Sequence, residues 1–268
     1  MTSITAAVCQ MRSGEDVAAN LTSAETLVRN AARAGAQFVA LPECMVFLKA
    51  EGEKAPEAQS IAGPWANRFS DLARELKITI LMGSFPETAD ETGRPYNTTI
   101  LFGPTGERVA AYRKMHLFDI DVPGMEHLKE SKATTPGTEI VVADAGFAKL
   151  GLSICYDLRF PELYRALSAQ GAEVLLVPSA FTDRTGRDHW EVLLRARAIE
   201  NLCYVLAPAQ WGKHGGNRAS YGHAMIVDPW GAVLAQVPDG EGFALAVLDF
   251  DRLHRLRNEL PALRAKKL

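Results

Sequence analysis

A thiol, two carboxylates and an ammonium are the groups in this sequence whose contexts offer chemistry. Cys155 lies in KLGLSICYDLRFPEL, residues 149 to 163, where strand-forming residues give way almost at once to a helical pattern. A thiol at the carboxyl end of a strand and just ahead of a helix occupies the place where catalytic groups gather in α/β sheets. The helix dipole and nearby backbone N–H groups there favour first a thiolate and later an oxyanion. A free cysteine is otherwise a small buried hydrophobe, so context has to separate a nucleophile from a structural thiol. Glu43 follows ALP at the end of another strand, either as a loop cap after Pro42 or as an acid facing the same cleft. Lys114, in YRKMHLFD, ends a hairpin strand. It is either a solvated edge charge or a fixed ammonium that stabilises a tetrahedral oxyanion and the neighbouring thiolate. Glu130, in LKESK, is an acid in a polar loop and carries no weight by itself.

Each of these groups needs an element to hold it. ITAAVCQM reads as a strand, EDVAANLTSAETLVRNAARAGA as an amphipathic helix closing at Gly35, and QFVALPE as a strand stopped by Pro42. The pattern returns as strand LGLSIC, helix PELYRALSAQGA closing at Gly171, and strand EVLLVPS stopped by Pro178. ARAGAQFVALPE and LSAQGAEVLLVPS share a helix end, Gly-Ala, an apolar strand, a proline and a polar residue, the mark of an internal duplication. Between them, helix WANRFSDLARELK precedes strand ITILMGSF, and YNTTILFG with ERVAAYRKMH forms a hairpin around PTG. The second half mirrors this with helix DHWEVLLRARAIEN, strand CYVLAPAQ and hairpin HAMIVDPWGAVLAQV. Continuous apolar strands interleaved with helices imply sheets covered on a helical face. Two such halves stacked sheet to sheet predict an α/β fold, a four-layer α-β-β-α sandwich of pseudo-repeated halves. No linker divides residues 1 to 268, so one domain is expected. A pseudo-twofold relating the halves turns Glu43 and the strand ends near Cys155 and Ser179 toward one cleft.

The 268 residues are 47% hydrophobic and 23% charged, ordinary for a globular chain, and the formal net charge is -3. That balance offers no basic field for a phosphate backbone, so a small neutral or anionic substrate is expected rather than a nucleic acid. The N-terminus lacks the basic-then-apolar order of a signal peptide, and no apolar run reaches the roughly 18 residues of a spanning helix. A cytoplasmic location without membrane association is therefore expected. Cys9, Cys44, Cys155 and Cys203 form no CxxC pair, which argues against a disulfide scaffold or a zinc knuckle. His116, His127, His189, His214, His223 and His254 show no HxH or HxxxH spacing, so neither metal nor cofactor is expected. In DHWEVLLRARAIEN, the near-helical spacing of Trp190, Leu193, Leu194 and Ile199 predicts a core face, with Arg195 and Arg197 solvated or paired opposite. GPTG is a turn, since a phosphate loop needs GxxxxGK[ST].

Rival hydrolytic chemistries want other spacings. A nucleophile elbow places glycines two residues either side of its nucleophile, and here those positions are Ser153 and Asp157. Ser179 likewise lacks the GxSxG elbow, and the local signatures of Cys-His hydrolases are absent around Cys155. A non-catalytic binding or scaffold member of the same fold would have lost Glu43, Lys114 or Cys155, and all three remain.

Taken as a set, the glutamate after ALP, the lysine in YRKMHLFD and the cysteine in ICYDLRFPE resemble the carbon-nitrogen hydrolases of the nitrilase superfamily. The resemblance runs from AAVCQM to the C-terminal LHRLRNELPALR. ALPE, RKMHLFDIDVPG, CYDLRFPEL, PSAF, HWEVLLRARAIEN and RASYGHAMIVDPWG are most similar to the deaminated glutathione amidases, with the omega-amidases that act on 2-oxoglutaramate as near relatives. The resemblance implies that Cys155 attacks an amide carbonyl to give a thioester, with Glu43 as the general base that later activates water. It implies that Lys114 and the backbone N–H of Tyr156 stabilise the oxyanion, that Glu130 positions the lysine or the substrate, and that the protein is a homodimer or higher homo-oligomer built across helices such as DHWEVLLRARAIEN. A 2-oxo acid product requires a carboxylate clamp. Arg159, one helical turn past the nucleophile, is the candidate, with an ion pair to Glu162 as its alternative. Phe181 and Thr182, after the strand expected beside that of Cys155, are candidates to line the pocket. The choice among short amides falls to the loops at residues 119 to 138 and 181 to 188.

Overall fold

The computed structural model describes residues 2–49, 56–89, 93–121 and 128–267. Residues 122 to 124 of the RKMHLFDIDVPG motif, part of the 119 to 138 loop and His127 lie outside the described residues. The first half runs β1 (Ser3–Met11), α1 (Val17–Arg33), β2 (Phe38–Ala40), α2 (Pro64–Leu76), β3 (Thr79–Glu87), β4 (Tyr96–Phe102) and β5 (Arg108–Arg113). A small pair follows, β6 (Asp119–Ile120) with β7 (Leu128–Lys129). The second half runs β8 (Val142–Asp144), β9 (Lys149–Leu152), α3 (Pro161–Ala169), β10 (Val174–Leu176), α4 (Asp183–Asn201) and β11 (Tyr204–Ala207). It continues with β12 (Ala209–Gly215), β13 (Arg218–Tyr221), β14 (Met225–Val227), β15 (Val233–Gln236), β16 (Gly242–Asp249) and α5 (Phe250–Glu259).

Apart from the β6–β7 pair, the described strands form two stacked sheets. One has the order β13-β12-β1-β2-β3-β4-β5, with β16 antiparallel to most of β1, and the other β15-β14-β11-β10-β9-β8. In each, three parallel strands (β1, β2, β3 and β9, β10, β11) continue into an antiparallel hairpin. Period-2 alternation sorts the buried side chains of the first sheet: Ile4, Ala6, Val8, Phe38, Ala40, Leu81 and Leu101 face the second sheet, while Ala7, Cys9, Val39, Leu41, Ile80 and Ile100 pack under α1 and α2. Helices α3 and α4 cover the outer face of the second sheet, giving the four layers.

The duplication seen in the sequence is matched bond for bond. Gly35 (φ 98) and Gly171 (φ 94) end α1 and α3 in the left-handed region, where a side chain would be strained. The next residue's N–H then closes onto the helix, Ala36 to Ala31 O and Ala172 to Leu167 O. Gln37 N to Thr5 O and Glu173 N to Lys149 O, both 2.8 Å, start the following strands in the same register.

Four expectations need correction. The strand carrying LGLSIC ends at Leu152, because Ser153 N turns to Leu176 O and Cys155 N to Pro178 O, and residues Cys155–Arg159 form a 3₁₀ turn. CYVLAPAQ is two strands: Pro208 lacks the N–H to continue the ladder, so β11 stays in the second sheet while β12 crosses to pair with β1 in the first. Helix α4 starts at Asp183, so residues 183 to 188 are its first turns rather than a loop. Its buried stripe is Trp190, Leu194, Arg197, Ala198 and Asn201, which leaves Leu193 half-buried, exposes Ile199 and buries Arg197 instead. The Arg197 guanidinium satisfies itself on the Leu158 carbonyl and Glu200.

Candidate active site

The site is built from strand ends. After β2, the chain turns sharply through Pro42, Glu43 and Cys44, the last at φ 54. The turn lies so close over β3 that a Cβ on Gly83 would fall 1.8 Å from the Pro42 carbonyl oxygen, so only glycine fits where the β3–β4 register shifts. Ser84 completes the support through its Oγ, which accepts from Cys44 N at 2.9 Å. Gln210, from β12, donates to the Glu43 carbonyl at 2.9 Å. The turn carrying Glu43 is therefore held from β3 and β12, and the residue is only 3% exposed.

Lys114 is the first residue beyond β5, 2% exposed, its N–H bonded to Asn97 O and its carbonyl to Gly137 N. Its ammonium donates to Glu43 Oε1 at 2.9 Å and to Glu130 Oε2 at 2.8 Å. Glu130 opens a short 3₁₀ turn and also accepts from Phe118 N at 2.7 Å. Asn97, in β4, lies under both acids, donating to Glu43 Oε1 at 3.0 Å and to Glu130 Oε1 at 3.3 Å. On the other side, Glu43 Oε2 accepts from Ala180 N at 2.8 Å, the second residue beyond Pro178. The Cys155 thiol completes the group beside the Glu43 carboxylate, whose charge bears on it, and the residue is held at φ 49 at the start of its 3₁₀ turn.

Beyond the thiol lies a narrow cleft, with room for about 10 Å³, lined by Phe118, Cys155, Tyr156, Arg159, Ala180, Phe181, Thr182 and Thr185. Arg159 spreads over the Phe181 ring, its guanidinium carbon 5.0 Å from the centroid, and its Nη1 meets His189 Nδ1 at 3.2 Å. Thr182 caps α4 in position and pairs its hydroxyl with Thr185 at 2.7 Å. The structure thus gathers Glu43, Lys114, Cys155 and Glu130 at one point, and sets Tyr156, Arg159, Phe181 and Thr182 around its opening.

Residues 5–258 match the carbon-nitrogen hydrolase family. The chain belongs to that family. This carbon-nitrogen hydrolase is an amide-hydrolysing enzyme of the nitrilase superfamily. It is 49% identical to a deaminated glutathione amidase from Synechocystis sp. over 96% of both chains. The crystal structure of Saccharomyces cerevisiae Nit3, a member of branch 10 of the nitrilase superfamily, superposes with TM-score 0.85 at 31% identity, covering 99% of this chain and 96% of that one. The crystal structure of the C. elegans NitFhit protein superposes with TM-score 0.90 at 37% identity, over 100% of this chain but 66% of that longer chain.

The electrostatics of the hydrolase site set its resting protonation. Burial pushes the Glu43 carboxyl up most, but the Lys114 charge, the hydrogen bonds from Cys155 and Lys114, and the Ala180 N–H together hold it below the ordinary range. Burial likewise opposes the Lys114 charge, yet Glu130, Glu43 and Cys155 hold its pKa well above that of a free lysine. Cys155 goes the other way: burial and then the Glu43 charge raise its thiol well above the usual value, against the pull of Lys114 and the Ala180 N–H. The expectation of a helix dipole favouring thiolate is corrected here, because α3 begins only at Pro161 and the thiol sits against a carboxylate. The resting pair is a thiol beside an ionised acid, an arrangement in which the acid can take the thiol proton.

Two contributors went unread in the sequence. Asn97 carried a signal, an asparagine in an otherwise β-branched and apolar strand where that residue is disfavoured. The Ala180 N–H carried none, since a backbone donor leaves no mark on residue type.

Proposed function

We propose that this hydrolase cleaves the amide of a short 2-oxo acid amide, with deaminated glutathione as substrate and 2-oxoglutarate and cysteinylglycine as products. The observation that carries the chemistry is the Glu43 carboxylate, which accepts from the Lys114 ammonium and bears by its charge on the Cys155 thiol. Cys155 Sγ attacks the amide carbon as Glu43 takes the thiol proton, and an S–C bond forms. The oxyanion is held by the Lys114 ammonium and the Tyr156 N–H, an effect worth roughly 3–4 kcal/mol per donor. Glu43 passes its proton to the departing nitrogen as the C–N bond breaks, leaving a thioester. Water then loses a proton to Glu43, adds to the carbonyl, and the S–C bond breaks as the thiol is restored. Glu130 fixes the lysine and, through Phe118 N, one wall of the pocket.

Similarity to the Synechocystis amidase supports the substrate. Arg159, which lines the cleft beside the thiol together with Phe181 and Thr182, is the carboxylate clamp of this reading. The exposed Val192 and Ile199 on α4, with Trp230 beside them, fit burial in a homodimer, and four free thiols fit a reducing compartment.

The test is release of 2-oxoglutarate from deaminated glutathione and from 2-oxoglutaramate, side by side with Cys155→Ala. The proposal requires a higher kcat/KM for the first, lost on substitution by roughly 10⁴-fold or more. A preference for 2-oxoglutaramate overturns the substrate and keeps the mechanism, and undiminished turnover by Cys155→Ala overturns the mechanism.

A further inference from the structure

We infer that Asp157 is a positioning residue of this active site, whose one carboxylate locks the segment carrying Lys114 to the turn carrying Cys155. Asp157 is fully buried, and its side-chain hydrogen bonds run to Tyr112, His116 and Ile154 rather than to the thiol or the ammonium. Its Oδ2 accepts from Tyr112 Oη at 2.7 Å and from Ile154 N at 2.8 Å. Its Oδ1 accepts from His116 N at 3.0 Å and meets His116 Nδ1 at 2.7 Å. A carboxylate only accepts, so Nδ1 carries a hydrogen in that contact. Both oxygens are thereby filled, and filled from both segments: Tyr112 and His116 lie two residues either side of Lys114, while Ile154 and Asp157 bracket Cys155.

Two further contacts stiffen the joint. Tyr112 Oη also accepts from Met115 N at 3.2 Å, closing the backbone around Lys114 into a tight loop. The His116 ring stacks on Phe160 at 3.7 Å, and Phe160 N bonds back to the Asp157 carbonyl at 2.9 Å. Cys155 needs such a clamp, because a non-glycine residue at φ 49 persists only where its surroundings enforce it. Lys114 needs it because an oxyanion donor acts only within a narrow range of positions, and a displacement of about 1 Å can cost about 10²-fold in rate.

This inference rests on the reading of Cys155 as nucleophile and Lys114 as oxyanion donor. The test is Asp157→Asn, whose amide nitrogen is a donor facing donors. The measurements are kcat and KM, the Tm, and the pH profile of Cys155 alkylation by iodoacetamide, each with and without Lys114→Gln. The expected result is a fall in kcat of about 10²-fold with KM changed by less than about threefold. The alkylation profile moves to higher pH because the lysine's charge recedes, and that movement vanishes in the Lys114→Gln background, where nothing remains to be positioned. Tyr112→Phe, which removes one bond and keeps the ring, gives the same pattern at about tenfold and serves if Asp157→Asn does not fold. A lowered Tm with kcat unchanged, or an alkylation shift that persists without Lys114, overturns the inference and makes Asp157 a fold residue only. Full turnover by Lys114→Gln alone overturns instead the reading of the site on which it rests.

Discussion

The turns after β2 and β10 stand at equivalent places in the two halves, and each reads as an apolar strand, a proline and a polar residue. They give the site different things. The first delivers a side chain, the Glu43 carboxylate. The second delivers a backbone group, the Ala180 N–H that binds that carboxylate at 2.8 Å, while Ser179 Oγ turns back to the Val177 carbonyl. The ends of β1 and β9 diverge in the same way. Beyond β9 stands Cys155, the proposed nucleophile; beyond β1 stands Ser13, fully buried in a network of Gln210, His214 and Ser220 that ends on the Glu43 carbonyl. A duplicated frame supplies four matching strand ends, and the chemistry comes from making them unequal.

The sharpest way to break the comparison is to remove the charge from the first turn. Glu43→Gln keeps the shape and the bond to Ala180 N but loses the base, and kcat is expected to fall about 10³-fold. The same change has the opposite effect on the thiol. The Glu43 charge raises the Cys155 pKa, so its loss lets Lys114 draw the pKa down, and alkylation of Cys155 near pH 8 accelerates while hydrolysis fails. Slower alkylation in the variant would overturn this expectation, because it would mean that uptake of the thiol proton by the acid outweighs the effect of its charge on the thiol. The lowered pKa of Glu43 also sets the acid edge of activity, with turnover kept through mildly acidic pH and lost only below the ordinary carboxylate range.

How much of this was open to sequence reasoning follows from which physical signals are local. The four layers, the repeat and the strand ends carrying Glu43 and Lys114 were legible, because period, Gly-Ala helix ends and strand-stopping prolines are written in adjacent residues. The crossing of β12 into the first sheet was not, since Pro208 marks a break but not the partner on the far side. Ile199 was misassigned because Arg197 is buried in its place, and an arginine satisfied by the Leu158 carbonyl looks from sequence like any solvated one. Asp157 sits in plain view two residues after Cys155, yet its partners Tyr112 and His116 are more than 40 residues away.

A second prediction probes the β1 end, where the site's counterpart is structural. His214 Nδ1 donates to Ser13 O at 2.8 Å and its Nε2 accepts from Ser220 Oγ at 2.9 Å, so both ring nitrogens are satisfied in the neutral form. Burial first, then the charges of Arg218 and Arg12, lower its pKa from 6.5 to about 4. The folded value lies below the unfolded one, so the stability this residue lends is complete above pH 6.5 and is lost as pH falls through about 4. The full loss is of order 3 kcal/mol. Denaturant titrations at pH 7 and pH 4 measure it, and His214→Gln is expected to flatten the difference by that order. An unchanged difference would assign the acid sensitivity to the carboxylates alone.

The smallest expected effect is the most discriminating for the second turn. If Ser179 contributes by its side chain, as Glu43 does at the equivalent place, Ser179→Ala should damage catalysis. If the contribution is the neighbouring N–H, the substitution should be nearly silent, because Ser179 N and O keep their bonds to Pro208 O and Gln210 N whatever the side chain. The Oγ bond to Val177 O at 3.0 Å is a buried neutral pair, worth about 1 kcal/mol of stability. The expected outcome is kcat/KM within about threefold of the parent and a small fall in Tm. A loss beyond tenfold would place the hydroxyl in the reaction and return the two turns to equivalence, each acting through its own side chain.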